Sequence, residues 1–264
     1  LVDVPSVVTT LLLVGMLLVL GETARALAMG DMFWEQGSRR RLVVEPHVVA
    51  ISILFLVVYV VPAIVDLVIG GTRPRDAASD AGVIFAIATS FVIVAAVVPL
   101  LAVTGRNTLA DYGIDVRGWR AEMRFGALGY FVATPLVISL LVAMSSMRGP
   151  ENEHPFLKLL AAGNSWETVG VAVAAVVAAP LLEELLFRVL FQGLLESLVH
   201  PWAAILVPAF FFAAMHGRSD AIPLFPLALV LGIVYHRRRS YLAVVTTHAM
   251  FNATFLLLAL RARS

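Results

Sequence analysis

Glu183 and Glu184 stand side by side in the apolar segment AAPLLEELLFRVLFQGLL, and Arg188 follows four residues after the second. A charged carboxylate in the middle of a hydrophobic span costs roughly 2.5–3.5 kcal/mol on insertion scales, so an adjacent pair points to use rather than tolerance. Glu184 and Arg188 are at i and i+4 and share a helix face, acid before base. Glu183 is turned from that face by about 100°. One carboxylate is held by a cation while the other is freer to act, an asymmetry that suits acid–base chemistry.

Two further polar motifs follow within the last hundred residues. His216 ends the run FFFAAMH, with Phe212 four residues before it on the same face; His248 and Asn252 repeat the i, i+4 spacing in HAMFN. A Glu and a His can share a water as general base. A His and an Asn can donate hydrogen bonds to a developing oxyanion. Helices that bring these segments together would hold the parts for hydrolysing a peptide bond without a covalent intermediate. Each motif alone also has a structural reading. Glu184 with Arg188 can be a buried ion pair, His216 a helix-end cap, and His248 with Asn252 interhelical hydrogen-bond glue. It is their convergence in one apolar region that favours a site.

The elements that must position these residues are membrane spans. Charged residues make up 14% of the chain and hydrophobic ones 60%, with mean hydropathy +0.93; a soluble domain carries about 25% charge. The expected fold is all-α, a polytopic helix bundle of about eight transmembrane helices around a polar intramembrane cavity. The spans read as roughly Val4–Leu20, Val48–Ile69, Gly82–Val103, Phe125–Met144, Thr168–Phe187, Trp202–Met215, Ile222–Tyr235 and Leu242–Leu260. The fifth is expected to run on through Gln192 to Leu198 as a second helix or a kinked continuation, with Pro180 at the bend. The first is read as a retained span, since no cleavage signal follows it. Residues 1–165 are expected to be scaffold helices and 166–264 to carry the motifs, within one integrated membrane domain.

With a net charge of +1 and no basic stretch interleaved with aromatics, nothing indicates nucleic acid as a partner. Cysteine is absent, which excludes thiol nucleophiles, disulfides and thiolate metal ligands. The odd-numbered connections carry 11 Arg or Lys, against 7 in the even-numbered ones and the tail, Arg188 set aside. By the positive-inside rule the odd loops are expected to be cytoplasmic.

In this order the motifs resemble the CPBP family of intramembrane proteases, which includes type II CAAX prenyl endopeptidases and Abi-type proteins. The family pattern EExxxR is met by Glu183, Glu184 and Arg188, FxxxH by Phe212 and His216, and HxxxN by His248 and Asn252. The resemblance covers about residues 170–256. It departs at Val189, where the family often has Gly. It implies an integral, multi-pass protein of a bacterial- or archaeal-type cell membrane, cleaving a membrane-associated peptide or protein, prenylated or not. Glu183 and His216 would activate the water, His248 and Asn252 would hold the oxyanion, and Glu184, Arg188 and Phe212 would orient the glutamate or bind substrate. No cofactor is expected in this version. An alternative view of the family makes Glu183, His216 and His248 ligands of a catalytic zinc, although the helical signature HExxH is missing. Another alternative is a non-catalytic membrane immunity or scaffold protein.

Overall fold

The computed structural model describes residues 42–69, 80–144 and 165–261, with isolated positions between 10 and 21. The expected span Val4–Leu20 and the Arg39–Arg41 loop therefore lie outside the described stretches. Helix α1 is Pro46–Ile69, α2 Ala81–Val103, α3 Trp119–Ala143, α4 Thr168–Leu198, α5 Pro201–Met215, α6 Ala221–Arg238 and α7 Tyr241–Arg261. All but α5 are long and apolar enough to cross a membrane, and among the described residues there is no strand. The chain is a multi-pass helical membrane protein.

Hydropathy locates these helices because the outer surface is as apolar as the core. Val57, Val61 and Val68 of α1, Phe85 and Val92 of α2 and Leu257 of α7 are exposed, while Phe55, Leu101, Leu185, Phe187, Phe212, Leu231 and Phe251 are buried together. Between α3 and α7 the contact is made by small residues. A Cβ added at Gly126 would strike the Ala243 carbonyl, and one at Gly129 would crowd Thr247. The Thr247 hydroxyl uses the closeness, donating to the Gly126 carbonyl at 2.7 Å. Close approach through small residues and one polar link is how helices associate where no water is available to be expelled.

Some boundaries depart from the hydropathy reading. Helix α3 starts at Trp119, not Phe125, and takes Glu122 into its first turn. There Glu122 meets the Arg238 guanidinium of α6 at 2.6 Å, a contact hydropathy does not register. Helix α4 runs through Pro180 to Leu198 as one helix of 31 residues, about 45 Å long and longer than the hydrocarbon core it crosses.

Successive helices alternate in direction, so the starts of α1, α3, α5 and α7 and the ends of α2, α4 and α6 share one end of the bundle. That end is polar and tightly bonded. The carboxylate of Glu45, just before α1, accepts from the backbone N–H of Arg106 and, at 3.2 Å, of Asn107, and from the Tyr112 hydroxyl at 2.7 Å. Asn107 in turn bridges both backbone groups of Val43. The segment before α1 is thus bound to the α2–α3 loop. A Cβ at Gly105 would collide with the Glu45 carboxylate, which accounts for glycine there.

Burial pushes the Glu45 carboxyl up, but its donors (Tyr112 and the N–H groups of Arg106 and Asn107), together with the electrostatic influence of nearby His47, outweigh burial and hold it below the usual carboxylate value. A carboxylate whose folded value is depressed stabilises the fold above its unfolded value of about 4.3 and loses that contribution as pH falls through the folded one. Wild type is therefore expected to be more heat-stable than Glu45→Gln at pH 7, with the gap closing on acidification below about pH 4.3. Thermal unfolding in detergent at a series of pH values checks this. A gap that stays constant down to pH 3 would contradict it.

Candidate active site

The two glutamates sit midway along α4 on a helix whose register is altered on both sides. Residues 174–178 and 185–192 are π-helical turns, and the α-helical stretch between them, Ala179–Glu184, carries the carboxylates. Each extra residue in such a turn shifts the following side chains by about 100° around the axis, and π-turns inside α-helices recur at functional sites. Val189, at the departure from the family pattern, lies in the second π-turn and is completely buried.

Glu184 is fully buried and both its oxygens are engaged. One accepts from Arg188 Nε at 3.2 Å, the other from His248 Nδ1 at 2.8 Å. Arg188 is also fully buried, and its two Nη atoms have no hydrogen-bond partner among the described residues. Its guanidinium carbon lies 5.3 Å from the Phe212 ring centroid and 5.9 Å from that of Phe187, where the ring quadrupoles offset part of its desolvation. Glu183 differs on every count. Its side chain is 28% exposed, while its Oε2 is buried and has no hydrogen-bond partner among the described residues. His248 Nε2 is 4.0 Å from that oxygen, beyond a direct hydrogen bond.

Both motif histidines have their Nδ1 committed. His216 Nδ1 is 2.8 Å from the Phe212 carbonyl. A carbonyl only accepts, so Nδ1 carries the proton and Nε2 remains as the second functional atom. The same reasoning applies to His248, whose Nδ1 faces the Glu184 carboxylate. His248 is 3% exposed. Asn252, one turn further along α7, donates through Nδ2 to the Ala175 carbonyl of α4 at 2.7 Å.

Phe212 lies at the centre of the arrangement. Its ring centroid is 4.8 Å from that of His216 and 5.6 Å from that of His248, with Arg188 on the same ring. The structure therefore gathers Glu183, Glu184, Arg188, Phe212, His216 and His248 into one cluster, with Asn252 at its α4–α7 edge. Glu184 is the partner of Arg188, as the i, i+4 spacing predicts. The imidazole next to Glu183 is that of His248. His216 joins the cluster through Phe212, with neither imidazole nitrogen within 4.0 Å of a carboxylate among the described residues.

Other residues that fix the site are silent in the motif reading. The Tyr241 hydroxyl donates to the Leu181 carbonyl at 2.5 Å, two residues before Glu183. Gln192 Nε2 ties α4 to the Gly232 carbonyl of α6 at 2.8 Å. Near it Glu196 collects His236 at 3.0 Å and Arg239 at 2.8 Å. Beyond His216, the Arg218 guanidinium caps the end of α1 through the Leu67 and Val68 carbonyls at 2.6 and 2.8 Å. Polar residues flanking a motif are the only sequence signal for these, and the signal does not name partners.

Among the described residues, no group of three or more His, Asp or Glu side chains is spaced to hold a metal ion. Glu183, His216 and His248 as placed do not form a ligand set.

A family model described as Type II CAAX prenyl endopeptidase Rce1-like matches residues 165–254. Over those residues the chain is similar to this family. The Rce1-like segment contains all three motifs, α5, α6 and the parts of α4 and α7 that carry site residues; residues 1–164 lie outside it. No curated protein and no solved structure matches the chain.

Proposed function

We propose that this protein is an intramembrane endopeptidase that hydrolyses a peptide bond of a membrane-associated, CAAX-like protein or peptide, with Glu183 as general base. The observation that carries this reading is the division of labour between the adjacent glutamates. Glu184 has both oxygens occupied inside the protein, whereas Glu183 is partly exposed with an unpartnered oxygen beside an imidazole.

In the reaction, Glu183 takes a proton from water as the water oxygen attacks the scissile carbonyl carbon. His216, with Nδ1–H spent on Phe212, offers Nε2 as an acceptor that helps orient the water. The carbonyl electron pair moves onto its oxygen, and the oxyanion is met by His248 Nε2–H and by the second N–H of the Asn252 amide. His248 donates there as imidazolium, its charge balanced by Glu184 on Nδ1. Collapse breaks the C–N bond, and the proton held on Glu183 passes to the leaving amine. An amine and a carboxylic acid result, and no covalent enzyme intermediate is formed.

To test it, purified protein in detergent or liposomes is assayed on prenylated and unprenylated peptides and on membrane-protein fragments. Cleavage by wild type and none by Glu183→Ala is expected; equal cleavage by both would sink the assignment, and so would an inert wild type, which fits a scaffold or immunity protein. The reaction is proposed to need no metal, a reading supported by the spacing of Glu183, His216 and His248. Activity is expected to survive chelation, and elemental analysis to find no stoichiometric zinc. One zinc per chain, with activity lost on its removal and restored on its return, would replace this mechanism by a metal-dependent one.

A further inference from the structure

We propose that Pro180 is a positioning residue of the site: by lacking an N–H, it leaves a carbonyl of α4 for Asn252 to grasp, and this bond sets α7 against the glutamates. The proposal rests on the endopeptidase reading for its effect on rate but not for the bond itself.

The argument follows the hydrogen bonds around the first π-turn of α4. The Ala179 N–H reaches back five residues to the Ala174 carbonyl. The next donor in that register would be residue 180, aimed at the Ala175 carbonyl, but residue 180 is proline and has no N–H. The Ala175 carbonyl is therefore deprived of both the donor an α-helix would give it and the one a π-turn would give it. In a membrane interior no water replaces them, so the carbonyl must find a side chain. Asn252 Nδ2 supplies the bond at 2.7 Å.

The same register device occurs in α1 without the partner. Residues 56–60 form a π-turn, the Val61 N–H returns to the Leu56 carbonyl, and Pro62 follows. Among the described residues no side chain donates to the corresponding carbonyl, that of Val57, whose side chain lies on the exposed face. Pro99, Pro135, Pro208 and Pro226 also sit inside helices, but no π-turn accompanies them. Of the proline-associated π-turns described, the one in α4 is thus matched to a polar side chain, and that side chain is a motif residue.

The consequence is geometric. Asn252 lies one turn beyond His248, and Pro180 one turn before Glu183 and Glu184. The Asn252–Ala175 bond and the His248–Glu184 bond at 2.8 Å therefore form two rungs between α4 and α7. With one N–H held by Ala175, the other is fixed in direction, which is what a preorganised oxyanion donor requires.

The test is a double-mutant cycle on the full chain in detergent, read by thermal unfolding. Asn252→Ala is expected to lower the midpoint by roughly 2–4 °C in the otherwise wild-type chain. It should lower it far less in the Pro180→Ala background, where either the new N–H or a returned Ala179 N–H closes on the Ala175 carbonyl. Equal shifts in both backgrounds overturn the proposal. Should Pro180→Ala fail to accumulate, Asn252→Asp decides: a carboxylate cannot donate to a carbonyl, so a wild-type midpoint for that variant would also overturn it. Kinetics add a second arm. Pro180→Ala is expected to lower kcat about tenfold through misplacement of the amide, with KM within about twofold; an unchanged kcat would overturn the positioning role. If the wild-type chain shows no peptidase activity, the endopeptidase reading falls, and the unfolding cycle still decides whether Pro180 and Asn252 are coupled.

Discussion

Replacing Glu183 with Gln is expected to reduce peptide cleavage by about 10²–10⁴-fold, the range over which a positioned general base contributes, while leaving the protein in the membrane at wild-type abundance. Gln is nearly isosteric with Glu, so packing against the cluster is kept and only the ability to take a proton is lost. Glu183 is suited to so selective an effect because no hydrogen bond of its Oε2 is broken by the change. The loss should fall on kcat more than on KM, because proton transfer belongs to the transition state. Membrane-fraction abundance and the unfolding midpoint are measured beside the rate. A Glu183→Gln variant retaining more than about a tenth of wild-type kcat would remove Glu183 from the base role. A variant that is inactive because it is absent from the membrane would instead point to a structural role.

Much of the frame behind this expectation is legible in the sequence. The described helices follow hydropathy because a bilayer imposes length and apolarity locally, residue by residue. Glu184 with Arg188 is likewise local, as any pair at i, i+4 on one helix is. What the sequence does not carry is the rotation of α4 against α7. The spacing sets Glu183 apart from Arg188 but does not say which histidine comes next to it. The structure places His248 there, with His216 reaching the cluster through Phe212. The π-turns at 174–178 and 185–192 are the physical reason that face-counting on an ideal helix falls short, since each moves the residues after it onto another face. Pro180 was a visible sign of such a departure. An interior proline commonly marks a bend; here it follows directly on the π-turn at 174–178, and the helix continues through it. The Glu45 clamp was less accessible still. Its donors lie more than sixty residues away and are largely backbone N–H groups, which every sequence offers equally.

The other large effect is expected on stability, from the pair next to the proposed base. Arg188→Met alone should destabilise the protein by about 3–5 kcal/mol, the cost of leaving a buried charge without its partner. Glu184 is completely buried, and His248 would be its one remaining hydrogen-bond partner among the described residues. Glu184→Gln alone should destabilise as well, because it leaves the Arg188 charge buried with unpartnered Nη atoms and only aromatic faces around it. The two changes combined should cost less than the sum of the single changes, and less than Arg188→Met alone. With both charges gone, the Gln carbonyl can still accept from His248 Nδ1, and Met fills the apolar space between Phe187 and Phe212. Unfolding midpoints of the three variants in one detergent check the sign and the non-additivity together. Strict additivity would mean that Glu184 and Arg188 act independently despite their 3.2 Å contact. The rate separates stability from chemistry. If Glu184 holds His248 in place, the double variant should regain stability without regaining kcat, because an amide on Nδ1 no longer balances the charge His248 carries when it donates to the oxyanion. Full recovery of kcat would make Glu184 and Arg188 purely structural and leave Glu183 the one motif carboxylate with a part in the reaction.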